Sequence, residues 1–450
     1  MPAGNKLGSL GPIKHVIIVI QENRSFDNFF ATFPGADGTT VGKAAAMPPS
    51  IASSCHDPIT KAQTIPLTEV DLQGHGFPPS YHYQTDADLG HMYANFKIDF
   101  DNRKMDGWDL GNYGARGSGT PICTYPYQYV NPKYIAPYWD MAKQYVLADH
   151  VFQTQASGSF TAHQDLIAAG TALSSDEALI DTPSYFPWGC DGNPDKLVSA
   201  IIKRGGKVEE YGGPFPCLDY TSLRDLLDAA SVSWKYYAVR VYSYQHCPQC
   251  QGAGIWSAFD AIKAVRYSTE WHKNISRTPN EIFSDIKRSR LPSVVWITPT
   301  GDNSDHPQTK EDTGPSWVGS IVNAIGESSY WNSSAIIVLW DDWGGFYDHV
   351  PPPAPRDWQG GPGFRVPMLI VSPYVKPHVE HTVYEFGSIL HFIEDNWTLG
   401  TLGRNDEHST SIGNAFDFSM KPRRFKAIET KYGKAFFLRQ RDSGRPVDTE

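Results

Sequence analysis

The 450-residue sequence has no run of about 18 apolar residues, so it offers no transmembrane helix. The longest early apolar run, His15-Val16-Ile17-Ile18-Val19-Ile20, is stopped by Gln21 and Glu22, and its Val/Ile content predicts a buried strand. The first residues, Met1-Pro2-Ala3-Gly4-Asn5-Lys6, lack the apolar stretch of a signal peptide. The chain is therefore expected either to be intracellular or to have lost a leader. Basic charge is scarce, with 39 Lys and Arg against 49 Asp and Glu and a net charge of −10. That balance argues against sequence-independent nucleic-acid binding, which depends on neutralised phosphates.

Cysteine is limited to six residues, Cys55, Cys123, Cys190, Cys217, Cys247 and Cys250. Their even number and Pro/Gly-rich surroundings predict up to three disulfides and an oxidising compartment, with Cys190–Cys217 and Cys247–Cys250 the preferred pairs. Cys247-Pro-Gln-Cys250 has half the spacing of a zinc site, but no second CxxC or HxxxH follows to complete it. The expected location is secreted or periplasmic, with a cytoplasmic chain as the alternative.

Four Val/Ile-rich segments are present: Val16 to Ile20, Ser293 to Ile297, Ala335 to Leu339 and Pro367 to Val371. They lack polar alternation, as strands covered on both faces do, and predict an α/β core. Polar clusters follow the first three directly, at the strand ends where open α/β sheets bind ligands. Two long excursions, about 35–135 and about 175–290, read as lids and walls around that edge. The latter carries amphipathic pieces over Ser222 to Ala230 and Phe259 to Val265.

The first cluster, Gln21-Glu22-Asn23-Arg24-Ser25-Phe26-Asp27, offers a carboxylate and an amide oxygen as hard cation ligands. It reads equally as a helix start capped by Asn23 or Ser25. In Gly158-Ser159-Phe160-Thr161-Ala162-His163-Gln164, Ser159 stands at a helix N-terminus, either as a plain cap or as a nucleophile beside first-turn amides. Ser157 and Thr161 are its local rivals. Trp340-Asp341-Asp342-Trp343-Gly344-Gly345 places two adjacent carboxylates after a strand, a repulsive pair unless a cation joins them. The Gly344-Gly345 turn is expected to bring Asp348-His349 back to the same place. Thr300 to His306 adds Asp305 and His306, and His91 and Lys104 lie in the first excursion; each also reads as an ordinary loop residue.

Together these motifs resemble the bacterial phosphoesterase family that contains non-specific phospholipases C and a class of acid phosphatases, with relatives in plants. Glu22 to Asp27, Lys104-Met105-Asp106-Gly107, Gly158 to Gln164, Asp341 to Pro352 and Phe364 to Pro373 carry the resemblance. It implies an alkaline-phosphatase-like core, with a central mostly parallel sheet flanked by helices and long lid insertions, as one domain over 1–450. It also implies one divalent metal ion of unspecified identity on Glu22, Asn23, Asp341 and Asp342. Ser159 falls at the nucleophile position, and His91, His306 and His349 fall at active-site histidine positions. Lys104, Asp305 and His163 are candidate substrate-binding residues; at His163 the plant relatives carry Arg. The implied activity is metal-assisted hydrolysis of phosphoric esters through a seryl nucleophile. Phospholipase C action on a phospholipid is the first expectation, and an acid phosphatase acting on small monoesters is the alternative.

Overall fold

The computed structural model describes residues 9, 11–85, 87–184, 186–247, 257–309, 312–355 and 361–441. Eight strands build the central sheet: β1 His15–Gln21, β2 Val146–Phe152, β3 Trp234–Tyr237, β4 Val294–Ile297, β5 Ser334–Trp340, β6 Arg365–Val371, β7 His378–Glu380 and β8 Tyr384–Glu385. Their order is β3-β4-β1-β5-β6-β2-β7, with β8 also on β2. Only β6 runs antiparallel to its neighbours; the other pairings are parallel.

Side chains along a strand alternate between the sheet's faces. Every residue of β4, β5 and β6 is buried, so both faces are covered, as the unbroken apolar runs predict. The covering helices are α1 Phe26–Phe30, α2 Ser159–Ala168, α3 Gly314–Gly326 and α4 Phe386–Trp397, with α2 packed on α4. The indole of Trp296 on β4 donates to the Leu166 carbonyl at 2.9 Å and fixes α2 against the sheet. No helix among the described residues is long and apolar enough to cross a membrane.

The sheet is larger than the four predicted strands. β2 escaped notice because Asp149 and His150 interrupt its apolar run. β3, Trp-Lys-Tyr-Tyr, lies inside what reads as the second excursion, so that excursion is divided by a core strand rather than continuous over 175–290. Elsewhere the excursions make their own small structures. Val41–Ala44 pairs with Gln63–Pro66, and Ala172–Ser174, Glu177–Leu179, Ser199–Arg204 and Lys207–Gly212 form a separate four-stranded antiparallel sheet. Disulfides close Cys55–Cys123 and Cys190–Cys217. Cys247 is also disulfide-bonded, while Cys250 lies outside the described residues.

Candidate active site

The ends of β1 and β5 lie side by side because Gln21 pairs with Trp340. Their following residues, Glu22-Asn23 and Asp341-Asp342, therefore meet although some 320 positions separate them. Asn23 adopts a left-handed backbone with φ 59°, and its amide donates to Asp341 Oδ1 at 2.9 Å. Gly344 is packed on this turn: a Cβ there would come within 2.3 Å of the Asn23 carbonyl oxygen. The glycine is required by close approach as well as by its positive φ.

Ser159 opens α2, with Gly158 as the cap, and is fully buried. Its hydroxyl donates to Asp342 Oδ2 at 2.8 Å. The first-turn amides of a helix lack intrahelical acceptors and favour negative charge nearby. The rivals are otherwise engaged: Thr161 donates to the Gly158 carbonyl at 2.9 Å, and Ser157 Oγ accepts from the Asp181 amide. His163 lies one helical turn beyond Ser159, on the same face. Its Nε2 sits 3.1 Å from Glu22 Oε1 and 3.6 Å from Asp341 Oδ2, facing the carboxylates.

The side chains of Glu22, His163 and Asp341 are all buried, and one ligating atom from each lies within 4.8 Å of the others. Asn23 Oδ1 and Asp341 Oδ2 are buried without a hydrogen-bond partner among the described residues. Uncompensated buried oxygens are costly. Carboxylate, amide and imidazole donors converging, with no Lys or Arg among the described residues paired to them, fit a divalent cation.

Of the three histidines at expected active-site positions, His91 meets this cluster directly and His306 is joined to it through Asp88. His91 Nε2 is 3.1 Å from Asn23 Nδ2 and 4.0 Å from Asp342 Oδ2, while its Nδ1 faces the Leu89 carbonyl at 2.7 Å. His306 Nε2 lies 3.8 Å from Asp88 Oδ2, and Asp88 Oδ1 lies 3.6 Å from His91 Nδ1, so Asp88 links the two imidazoles. Sequence reasoning missed Asp88, because nothing in its local sequence distinguishes it from an ordinary loop acid.

His349 goes elsewhere. The Gly344-Gly345 turn does return the chain, but Ser25 donates to the Tyr347 carbonyl and the Asp27 amide donates to Asp348 Oδ2, drawing it to the start of α1. There Arg365 contacts Asp348 at 3.1 Å and Asp27 at 3.2 Å, all three buried, and His349 Nδ1 lies 2.7 Å from Asp27 Oδ2. Burial alone would lower the His349 pKa, but the hydrogen bond and charge of Asp27 outweigh it and raise the value. Arg365 reaches this edge because β6 is antiparallel and delivers its first residue where its neighbours deliver their last. Ser25 caps α1, accepting from the Asn28 amide at 3.2 Å, as the capping reading of this segment expects.

Asp305 and Lys104 take other posts. Asp305 Oδ2 accepts from Tyr138 at 2.6 Å and from the Trp340 indole at 3.0 Å. Its burial raises the carboxyl pKa to about 6, with Tyr138 and Arg24 opposing. Lys104 is exposed and pairs with Asp101 at 2.6 Å. The rest of its motif is packing: Met105 and Trp108 are buried, and Trp108 lies 4.8 Å from Tyr347 and 4.9 Å from Phe364 between ring centroids.

Comparison with known proteins fits this geometry. A family model described as the Phosphoesterase family matches residues 13–400. The chain belongs to that family. This phosphoesterase is 27% identical over 460 residues to phospholipase C B of Mycobacterium tuberculosis, covering 93% of this chain and 80% of that protein. It is 24% identical over 463 residues to phospholipase C A of the same species, with the same coverage. A solved structure of an alkaline phosphatase superfamily protein from Vibrio parahaemolyticus matches with a TM-score of 0.36 and 10% identity, over 90% of this chain and 74% of that one. The phosphoesterase is a hydrolase of phosphoric ester bonds.

Proposed function

We propose that this phosphoesterase is a phospholipase C, with Ser159 as nucleophile and one divalent cation held by Glu22, Asn23, Asp341 and Asp342. The observation that carries the reading is the hydrogen bond from Ser159 to Asp342 at the start of α2, beside Asn23 Oδ1 and Asp341 Oδ2, which are buried without a hydrogen-bond partner among the described residues. The names of the relatives support a phospholipid substrate. The cation would offset charge on the phosphoryl oxygens and favour the Ser159 alkoxide.

Ser159 Oγ forms a bond to phosphorus while the bond to the leaving alcohol breaks, with His306 giving that alcohol its proton. Water then gives a proton back to His306 and its oxygen bonds to phosphorus, which breaks the phosphoseryl ester, releases the phospho-headgroup and restores Ser159. His91 orients the Asn23 amide, and His163 positions Glu22 and Asp341. His349 takes no proton-transfer role, because Asp27 and Asp37 hold its ring. The excursions serve as walls of a single unit. His91 and Asp88 come from the first, and in the second the Ala258 carbonyl accepts from Gln164 of α2 at 3.0 Å. The disulfides support a secreted or periplasmic location.

The test is Ser159→Ala, assayed on p-nitrophenyl phosphorylcholine and p-nitrophenyl phosphate. The expected result is loss of turnover by about 10⁴-fold or more. Wild-type rates would remove Ser159 from the mechanism. Wild-type turnover of the monoester alone would replace phospholipase action with phosphatase action.

A further inference from the structure

A second group of metal-ligating side chains lies on β2 and beside β7, and the hydrolytic chemistry uses none of it. Asp149 and His150 are adjacent on β2, and His381 follows β7 directly. His150 Nδ1 is 2.8 Å from Asp149 Oδ1, and His381 Nδ1 is 2.9 Å from Asp149 Oδ2. The Asp149 carboxylate is fully buried, whereas the His381 side chain is 59% exposed and opens the group to solvent.

The orientation of His150 is the decisive detail. Its Nε2 faces Asp37 Oδ2 at 3.3 Å while its Nδ1 faces Asp149. A neutral imidazole carries one N–H, so it can satisfy only one of these two carboxylates as a donor. A carboxylate that takes one ring N–H and leaves the other nitrogen for a metal is the recurring outer partner of histidine ligands. Asp149 is itself oriented, since its Oδ2 accepts from the Asp37 amide at 2.8 Å. Asp37 also meets His349 Nε2 at 3.2 Å.

The neighbouring Asp27-Asp348-His349 group has comparable spacing, but Arg365 already neutralises it. Around Asp149 no Lys or Arg among the described residues reaches the carboxylate. Arg365 donates only to the Asp149 backbone carbonyl, at 2.9 Å. One ligating atom from each of Asp149, His150 and His381 lies within 4.8 Å of the others, near enough for one tetrahedral cation with ligand bonds of about 2.0–2.2 Å.

We propose that Asp149, His150 and His381 form a second divalent-metal site, for Zn²⁺ or a similar borderline transition ion. The donor set is one carboxylate and two imidazoles, and the exposed side leaves the fourth position to water. The ion binds through His150 Nδ1, His381 Nδ1 and an Asp149 oxygen, and pins β7 to β2 at the sheet's outer edge. This site is independent of the Ser159 cluster.

The test uses the full chain, stripped with chelator, incubated with ZnCl₂, desalted and analysed for bound zinc by mass spectrometry. His381→Ala and His150→Ala should each retain one equivalent less than the wild type, with turnover of p-nitrophenyl phosphorylcholine unchanged. Glu22→Gln, which alters the other cluster, should keep this equivalent. Equal zinc content in the wild type and both histidine variants, or no retained zinc in the wild type, overturns the proposal. Circular dichroism of His381→Gln, which preserves size at an exposed position, separates lost ligation from lost folding.

Discussion

Removing the Arg365 guanidinium while keeping its apolar stem, by Arg365→Met, should destabilise the fold in a strongly pH-dependent way. Arg365 is fully buried and contacts both Asp348 and Asp27, and it donates to the carbonyls of Asp37 and Asp149 at 2.7 and 2.9 Å. Losing the carbonyl contacts costs about 2 kcal/mol at any pH. The charge contribution varies with pH. Burial raises the Asp348 carboxyl from its ordinary 3.8 to about 6, opposed by Arg365 and reinforced by Asp27. A carboxyl that binds its proton more tightly when folded favours folding below pH 4. That contribution, about 3 kcal/mol, is lost as pH rises through about 6. Without Arg365 the carboxyl is raised further and the loss grows. At pH 5 Asp348 is protonated and the His349 imidazolium balances Asp27, so the variant lacks little beyond the carbonyl contacts. At pH 8 two buried carboxylates face each other, and the deficit should reach about 4–5 kcal/mol. Guanidinium unfolding followed by tryptophan fluorescence at pH 5 and pH 8 measures both values. A deficit equal at the two pH values to within about 0.5 kcal/mol would refute the charge argument.

Four further outcomes are expected. Ser159→Ala and Asp342→Asn should each abolish nearly all turnover, and the double variant should be no slower than the slower single one, because parts of one unit do not add; steady-state rates on p-nitrophenyl phosphorylcholine check this. His306→Ala should lower kcat on p-nitrophenyl phosphorylcholine about 10²–10³-fold, read from steady-state rates. His349→Ala should keep kcat within a few-fold but lose stability at pH 6, since a raised histidine pKa stabilises the fold below about 6.5 and not above its folded value. Opening Cys55–Cys123, which spans 68 residues, by Cys55→Ser with Cys123→Ser should cost about 4 kcal/mol on the chain-entropy account; a chemical-denaturation midpoint unchanged from wild type would contradict it.

The readable parts of the sequence are those where one residue type dominates a segment. β1, β4 and β5 are runs of apolar branched residues, and polar residues placed immediately after them could be assigned to one sheet edge before any coordinate was known. β2 was hidden because its Asp149 and His150 turn toward each other and toward Asp37, 112 or more positions away, and a period count sees only interruption. The site shows the same division. Asp341-Asp342 declares itself as adjacent like charges, and Ser159 depends on the family resemblance. The destination of His349 was illegible because it is set by Arg365, Ser25 and Asp27, each contributed by a different strand end or loop. Strand direction was also silent: nothing in Arg-Val-Pro-Met-Leu-Ile-Val says that β6 runs against its neighbours.

The place of β1 within the sheet bears on how the chain is made. Val16 pairs with Val294 on one side and Ala335 on the other, so neither edge of this strand has its partner until the last third of the chain exists. At about 5–20 residues per second, the roughly 280 intervening residues keep the ribosome busy for some 15 s to a minute. Throughout that interval Val16 to Ile20, five consecutive branched apolar residues, have both hydrogen-bonding edges open to other chains. Synthesis of this protein thus leaves exposed, early on, a segment that in the finished molecule is among the least accessible.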